Sequence, residues 1–412
     1  MNKIVIGLLL LVAISCTPAT TKHRDMLWIG AAAAPINPPI GSYIAGDQQN
    51  RKFKSILDSL YVKAIVVRNN ETTIALLTVD CIGLMYPDLV KIRERVAQLS
   101  DFPTAHIVLS STHTHSGPDV VGLWGPDYQH TGVDSAYQVF LIYSAAEQII
   151  AAYQKLQPAS VWVSETTYGE PWVQNICNEE IDRSVISMQF KDDRGNSIAS
   201  LTNFACHPTF LDAVFDEVSA DYPGAFYQTL DKTWGGVNLF LQGAIGGWVQ
   251  PVEGKGQLQE AKKRGNELGQ VVMKTMESAH LLENPVIHFK SKKVCFPVDN
   301  ESWKQLSSIG TVPRKILDSV NTEIAWFRIG EAQFITHPGE TAPFYALETK
   351  KLMGAGPKFV LGLGNDALGY ILKPEFYEDS TRLHAPYLTA TSVGKQTAPL
   401  LMKHIEQMLS EK

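Results

Sequence analysis

The sequence lacks the features that mark several classes of protein. Its 36 lysine and arginine residues are fewer than its 42 aspartate and glutamate residues, and no basic cluster is interleaved with aromatics. This composition argues against nucleic acid as a partner. The five cysteines form no CxxC pair, so the sequence predicts neither a disulfide scaffold nor a cysteine-based zinc site. With 45% hydrophobic and 19% charged residues, the chain instead has the composition of a packed globular protein.

The amino terminus has no apolar run long enough to span a bilayer. Residues 4–14 are apolar and follow a short basic start, which is the pattern of a signal peptide. The letters AISC that end at Cys16 resemble a bacterial lipobox, in which the cysteine is acylated. We therefore predict a lipoprotein signal peptide over 1–16, lipidation of Cys16, a polar tether over 17–26 and a lipid-anchored location in the bacterial cell envelope. An ordinary cleaved signal with an incidental cysteine is the alternative.

Beyond the tether, short segments rich in Val, Ile and Phe alternate with longer amphipathic segments. The short segments predict strands over 62–67, 73–79, 106–110, 161–164, 186–190, 198–204, 238–242, 286–296, 323–329, 333–336 and 359–363. The longer segments predict helices over 87–99, 135–156, 222–230, 258–279, 303–320, 341–352 and 392–409. This alternation predicts a single large α/β domain over 27–412, with a mixed sheet flanked by helices.

The chemically unusual residues follow predicted strands. His113 and His115, His207 and Glu340 each come after a different strand, and so does the glycine-rich run 243–247. Ligands of α/β folds bind in the crevice beyond the strand ends, so we expect these loops to meet at one site. Imidazole and carboxylate ligands around an open position are typical of a catalytic zinc ion. The sequence therefore predicts a metal site on strand-end loops.

Each of these residues also has a structural interpretation. On extended backbone, His113 and His115 would point to the same side, where they either bind a metal or form a hydrogen-bonded pair. His207 precedes a proline and fits a structural role, and Glu340 fits the start of a helix. The run 243–247 fits a tight turn as well as an oxyanion site. Only the joint placement of these residues favours the metal.

At these loops the sequence resembles the neutral ceramidase family, in its zinc-containing catalytic domain. The most specific match is the segment 111–118, STHTHSGP. The strand 29–31 and the strand that ends at Asp80 resemble the opening strands of that domain. Other matching segments are 203–209 (NFACHPT), 219–224 (SADYPG), 338–341 (PGET) and 369–371 (GYI).

The resemblance implies roles for individual residues. The zinc ligands that it implies are His113, His207, Glu340 and Tyr370. It places His115 on the substrate side, where that residue helps to hold the reacting carbonyl or water, and it matches Tyr377 to a second active-site tyrosine. Two imidazoles, a carboxylate and a phenol are acceptable ligands for zinc.

Two positions depart from the family pattern. The nucleophilic serine of the family is replaced by Gly243, and its active-site arginine is replaced by Asn178. We still expect Asn178, Gly243 and Ala244 to lie on the substrate side, the last two through backbone N–H groups. The resemblance therefore supports the fold and the metal site better than it supports cleavage of ceramide.

Without the serine, the simplest mechanism uses zinc-activated water, with His115 or Asp221 as the group that accepts the proton. The predicted function is that of an exported zinc hydrolase that cleaves an amide or ester bond of a small lipid amide. A second interpretation is a zinc hydrolase that acts on a glycan or glycoconjugate, because Trp124, Trp172 and Trp248 lie in predicted loops. A third is a binding lipoprotein without catalytic activity.

Overall fold

A computed structural model describes residues 27–212, 215–283 and 286–411. In these residues the strands are β1 Leu27–Pro35, β2 Ser55–Ile56, β3 Tyr61–Arg68, β4 Thr73–Val79, β5 Ile107–Ser111, β6 Gln157–Thr167, β7 Val173–Asn175, β8 Ser184–Lys191, β9 Ser197–Phe204, β10 Glu217–Val218, β11 Val237–Gln242, β12 Val249–Pro251, β13 His280–Leu281, β14 Ile287–Pro297, β15 Ser319–Ile329, β16 Ala332–Thr336, β17 Glu340–Thr341, β18 Lys358–Leu361 and β19 Tyr370–Ile371. The helices are α1 Tyr86–Leu99, α2 Ser135–Gln154, α3 Tyr222–Thr233, α4 Leu258–Met276, α5 Glu301–Ser308, α6 Pro343–Leu352, α7 Glu375–Glu378, α8 Ala385–Ala390 and α9 Thr397–Ser410.

A large mixed sheet has the strand order β11-β9-β8-β6-β1-β3-β4-β5, with β13 paired to β6. Its centre is antiparallel, whereas the pairs β4–β5 and β9–β11 at its two ends are parallel. These strands are rich in Val, Ile and Leu because both faces of the sheet are covered. The predicted fold class, a large mixed sheet with flanking helices, is confirmed.

The sheet curls until its two ends lie close to each other. Lys63 on β3 donates a hydrogen bond of 2.8 Å to the carbonyl of Asn238 on β11, although these strands are far apart in the strand order. Ile65, Leu239 and Phe327 belong to one core cluster inside the curl, which the second sheet, β14-β15-β16-β18, completes. The curl brings the carboxyl ends of β5, β9 and β11 to one region.

Helices cover the outer faces of the curled sheet. The inward residues of α2, such as Leu141 and Ile149, pack in one core with Val62 and Val66 of β3. Helices α3 and α4 cover the opposite side, where Phe240 of β11 is buried. These two helices pack closely, because a side chain at Gly265 would clash with the backbone of α3.

The predicted elements differ from the structure mainly after Ser308. Helix α5 ends there, and the chain turns at Gly310, which has a φ of 80°. The helix that we predicted over 303–320 is therefore wrong in its second half, because Gly310 and Pro313 interrupt it and β15 begins at Ser319. In the carboxy-terminal region, α9 begins at Thr397, five residues later than predicted.

No helix in the ranges that the structure describes is long and apolar enough to cross a bilayer. The predicted signal peptide, its lipidated Cys16 and the tether 17–26 lie outside those ranges.

Candidate metal centre

The curled sheet brings together side chains from four loops. His113 follows β5 and His207 follows β9, while Glu340 and Tyr370 are register neighbours in the short parallel pair β17–β19. The three histidines His113, His115 and His207 form a group whose ligating atoms all lie within 4.8 Å of one another. The sequence therefore predicted the meeting of these loops correctly.

The backbone conformation that brings His113 and His115 together differs from the predicted extended one. Strand β5 ends at Ser111, and His113 has a φ of 69°, in the left-handed region. The imidazoles of His113 and His115 still face each other, with ring centroids 5.0 Å apart. A turn after the strand thus brings them together, and the alternation of side chains along a strand does not.

Backbone carbonyls orient the rings of His113 and His207. The Nδ1 atom of His113 lies 2.5 Å from the carbonyl oxygen of Ile82, and the Nδ1 atom of His207 lies 2.7 Å from that of Val249. Because a carbonyl only accepts, each Nδ1 carries the proton, and each Nε2 presents a lone pair. This is the arrangement that metal-binding histidines show, with the second nitrogen held by an outer partner.

Both free nitrogens converge on one carboxylate oxygen. The Oε2 atom of Glu340 lies 3.1 Å from Nε2 of His207 and 3.4 Å from Nε2 of His113. Ligands that bind zinc tetrahedrally at about 2.0–2.1 Å lie roughly 3.3 Å from one another. The carboxylate oxygen is therefore spaced from each of the two nitrogens as ligands of one ion would be.

Burial shapes the charges of these groups. Burial lowers the pKa of His207 to about 4, which keeps its imidazole neutral near pH 7. Burial alone would raise the pKa of Glu340, but His113 and His207 hold it well below its usual range. Burial and the charge of Glu340 raise the pKa of Tyr370 well above 10. Tyr370 is therefore a neutral phenol beside the Glu340 carboxylate.

A cavity of about 70 Å³ lies above these groups. Its wall is mostly apolar and includes Ile82, Val121, Leu123, Trp124, Leu363 and Ala367. His113, His115, Glu340 and Tyr370 form its polar side. The site is therefore a dry pocket with a few convergent polar groups, which is typical of sites that bind small molecules.

Asp119 shapes one side of this wall. Its buried carboxylate accepts hydrogen bonds from the backbone N–H groups of Val121, Gly122 and Trp124, at 3.0, 2.7 and 2.9 Å. These bonds fold the loop so that Val121, Leu123 and Trp124 face the cavity.

Comparisons with known proteins identify the fold. The crystal structure of neutral ceramidase from Pseudomonas aeruginosa superposes with a TM-score of 0.77 and 14% sequence identity, over 93% of this chain and 74% of that one. A structure described as ceramidase complexed with C2 gives a TM-score of 0.74 and 14% identity, over 93% and 75% of the two chains. The chain has the neutral ceramidase fold.

The sequence comparisons are weaker. Neutral ceramidase B of Dictyostelium discoideum is 24% identical over 146 residues, which are 30% of this chain and 19% of that protein. The match thus spans about a fifth of the length of the curated relative. No protein-family model matches the chain. The resemblance predicted from the loop motifs is confirmed at the level of the fold.

Within the neutral ceramidase fold, a tyrosine other than Tyr377 lines the cavity. The hydroxyl of Tyr377 lies 2.5 Å from Oγ of Ser392, and this tyrosine faces a separate surface groove. Tyr387 on α8 lines the cavity instead, stacks on Trp248 with ring centroids 5.0 Å apart and lies 6.3 Å from the ring of Tyr370. No predicted helix contains Tyr387, so its place after the GYI segment was the one hint in the sequence.

Two backbone N–H groups of the run 243–247 already have partners in the fold. The N–H group of Gly243 donates to the carbonyl of Phe204 at 2.9 Å, and Ala244 is buried in the core. The N–H group of Gly246 donates to the carbonyl of Thr341 at 2.9 Å. These bonds support the interpretation of the glycine run as a tight turn.

Asp221 and Asn178 lie outside the cavity wall. Asp221 caps helix α3, and its carboxylate accepts hydrogen bonds from the N–H groups of Tyr222 and Leu211 at 2.6 and 2.9 Å. Burial raises the pKa of Asp221 to about 7. Asn178 is exposed in a turn with a φ of 57°. The Asp221 side chain therefore supports a loop next to the site.

The three loop tryptophans have different surroundings. Trp172 is buried in an aromatic cluster with Phe204 and Phe210, so it is not available to stack on a sugar. Trp124 lines the cavity, and Trp248 stands behind Tyr387.

Proposed function

We propose that this protein is a zinc-dependent hydrolase that cleaves an amide or ester bond in a small lipid amide. The observation that carries the proposal is the convergence of the Nε2 atoms of His113 and His207 on Oε2 of Glu340, beneath an apolar wall. The ceramidase fold supports the same reaction class.

The residues present fit a zinc ion. His113, His207 and Glu340 supply two neutral nitrogens and one carboxylate oxygen at ligand spacing, and Tyr370 adds a phenol beside Glu340. When bound, zinc polarises a carbonyl oxygen and lowers the pKa of a coordinated water toward about 7. His113 and His207 would hold it through Nε2, because Nδ1 of each ring is already bound to a carbonyl.

The other residues of the site position the substrate. The apolar wall lies next to the polar side of the cavity, and this composition favours an apolar substrate group over a sugar. His115 stands beside His113 and His207 with its Nε2 atom facing the cavity, where it contacts the attacking water. The serine of the family is absent at Gly243, so the attacking group has to be water.

The test begins with zinc content and hydrolysis in the purified full-length protein. We expect about one zinc ion per chain and release of fatty acid from a short-chain N-acyl sphingoid base. His113→Ala and His207→Ala should lose both zinc and activity. His280→Ala is the matched control, because that histidine is exposed and pairs with Glu331. A preparation without metal that stays active would refute the proposal.

The same assay separates the alternatives. Hydrolysis of a sugar ester or glycoconjugate, with no action on the lipid amide, would favour the glycan interpretation. A zinc-loaded protein that hydrolyses no amide, ester or glycoside would favour a binding lipoprotein.

We also propose that the protein is exported and anchored in the bacterial envelope through an acylated Cys16. The lipobox letters AISC support this location. Labelled palmitate should be incorporated into the wild-type protein and not into Cys16→Ala. Label that persists in the variant would refute the anchor.

A further inference from the structure

The two nitrogens of His115 have different surroundings. Nδ1 lies 3.3 Å from Oδ2 of Asp212. Nε2 is buried and has no hydrogen-bond partner within the ranges that the structure describes. The ring lines the cavity, 5.0 Å from the ring of His113 and 5.8 Å from that of His207. An unpartnered nitrogen in a buried polar group is costly, so this atom is placed for a ligand.

Asp212 determines which nitrogen of His115 carries the proton. An ionised carboxylate only accepts hydrogen bonds, so Nδ1 has to be the donor. Burial alone would raise the pKa of Asp212, but His115, Lys255 and Arg51 lower it. In the neutral imidazole, a proton on Nδ1 leaves the lone pair on Nε2.

Several contacts fix Asp212 in place. Asp221 accepts the N–H of Leu211 at 2.9 Å, directly before Asp212. The N–H of His115 donates to the carbonyl of Pro208 at 3.3 Å, which ties the two loops together. Arg51 adds a positive charge near Asp212, with Nη1 4.0 Å from Oδ1, which is too long for a hydrogen bond. Asp221 and Arg51 therefore support Asp212 from positions outside the cavity wall.

Gly46 packs against the side chain of His115. A side chain there would place its Cβ atom 2.8 Å from Cβ and 2.9 Å from Nδ1 of His115. Its φ of 128° also favours glycine. Glycine at this position therefore leaves room for the His115 side chain beside the backbone.

We propose that Asp212 is a positioning residue that holds His115 with Nε2 as an acceptor for the attacking water. This inference rests on the proposed function. It excludes a hydrogen bond from His115 to the reacting carbonyl, because an Nε2 atom without a proton cannot donate to oxygen. It also gives Nε2 of His115 a different role from Nε2 of His113 and His207, which would bind zinc.

Two other uses of Nε2 would give different results. If His115 were a third zinc ligand, loss of Asp212 would weaken zinc binding, because outer partners of metal ligands contribute about 10–100-fold in affinity. If Nε2 accepted the N–H of an amide substrate, loss of Asp212 would affect amides and spare matched esters, which lack that N–H.

The experiment compares Asp212→Ala and Asp212→Asn with wild type in zinc content, kcat and KM for a matched amide and ester. We expect unchanged zinc and KM, and a kcat that falls about 100-fold for both substrates in Asp212→Ala. Asp212→Asn should recover part of kcat, because its amide oxygen still accepts from Nδ1. Glu217→Gln, on the same loop and bonded to Ser55, is the control. Lost zinc, an effect confined to the amide, or an unchanged kcat would each overturn the proposal.

A second readout does not depend on activity. In zinc-free protein with ¹⁵N-labelled histidine, His115 should show a protonated Nδ1 and a bare Nε2. Asp212→Ala should shift this residue toward a mixture of tautomers, and Glu217→Gln should not. If the wild type hydrolyses nothing, the proposed function fails and this measurement still decides the role of Asp212. A wild-type His115 with its proton on Nε2 would refute that role.

Discussion

The Oε2 atom of Glu340 lies 3.1 Å from Nε2 of His207, and the two residues are 133 positions apart in the chain. His207 is fully buried, and Glu340 is nearly buried and lines the cavity. A carboxylate buried against a neutral imidazole is stable only with further positive charge or hydrogen bonds. This pair is therefore the structural reason to expect a cation at the site.

Glu340→Gln should remove the metal. The neutral amide is a weaker zinc ligand than a carboxylate, and loss of an outer partner alone costs about 10–100-fold in affinity. We expect zinc affinity to fall by more than that range, as measured by competition with a chromogenic chelator. Glu348→Gln, an exposed residue paired with Lys351, is the control and should bind zinc as wild type does. Wild-type affinity in Glu340→Gln would show that this carboxylate is not a ligand.

The buried His337 should make the zinc-free protein sensitive to acid. Burial lowers its pKa from 6.5 to about 3, and its Nε2 atom lies 3.2 Å from Oγ1 of Thr349. Between these two values the unfolded chain binds a proton that the folded chain does not, so stability falls as the pH falls. The slope for one such proton is about 1.4 kcal/mol per pH unit.

His337→Gln keeps a group that reaches Thr349 but does not titrate. Urea unfolding at pH 7, 6, 5 and 4, in the presence of a chelator, should show a smaller loss of stability in this variant. Around pH 5, the two proteins should differ in the slope of unfolding free energy against pH by about 1.4 kcal/mol per pH unit, the value for one proton. Curves that fall in parallel for the two proteins would contradict the assignment to His337.

Restoring the serine of the family at position 243 should not restore its mechanism. A Cβ atom there would lie 2.7 Å from Cβ and 3.0 Å from Cα of Ala205, and the neighbouring backbone is already hydrogen-bonded. Gly243→Ser should destabilise the fold by about 1–3 kcal/mol, as overpacked cores do, with no gain in kcat. The double variant with Ala205→Gly removes the nearer contact and should regain stability. A single variant that is fully stable and faster than wild type would contradict the water mechanism.

Much of the site could be predicted from the sequence because its ligands lie in short segments with strong local patterns. His113, His207 and Glu340 each follow an apolar strand, and the structure brings all three together. The local backbone could not be predicted, since the left-handed turn at His113 accompanies a contact of its ring with the carbonyl of Ile82, which lies 31 residues away in the sequence. The pairing of His115 with Asp212 was missed for the same reason, because 97 residues separate them.

The fold shows the same limit. Long periodic segments such as α2 and β15 were found, but the curl of the sheet, which decides where β5 meets β11, depends on contacts such as that of Lys63 with Asn238. No local pattern in either strand encodes that contact. The short helices α7 and α8 were also missed, and their packing, more than their sequence, decides which tyrosine reaches the cavity.

Tyr387 should matter for activity where Tyr377 does not. Tyr387→Phe keeps the stacking on Trp248 and removes only the hydroxyl, so a fall in kcat with wild-type stability would show that this hydroxyl contacts the reacting groups. We expect about a tenfold fall or more, since a hydrogen bond to a charged group contributes about 1.5–3 kcal/mol. Tyr377→Phe removes a hydroxyl bonded to Ser392 in another groove and should lower stability slightly with kcat unchanged. Both variants need kcat, KM and thermal unfolding measured together. The opposite result, a fall in kcat for Tyr377→Phe alone, would return the second active-site tyrosine to the position that the sequence predicted.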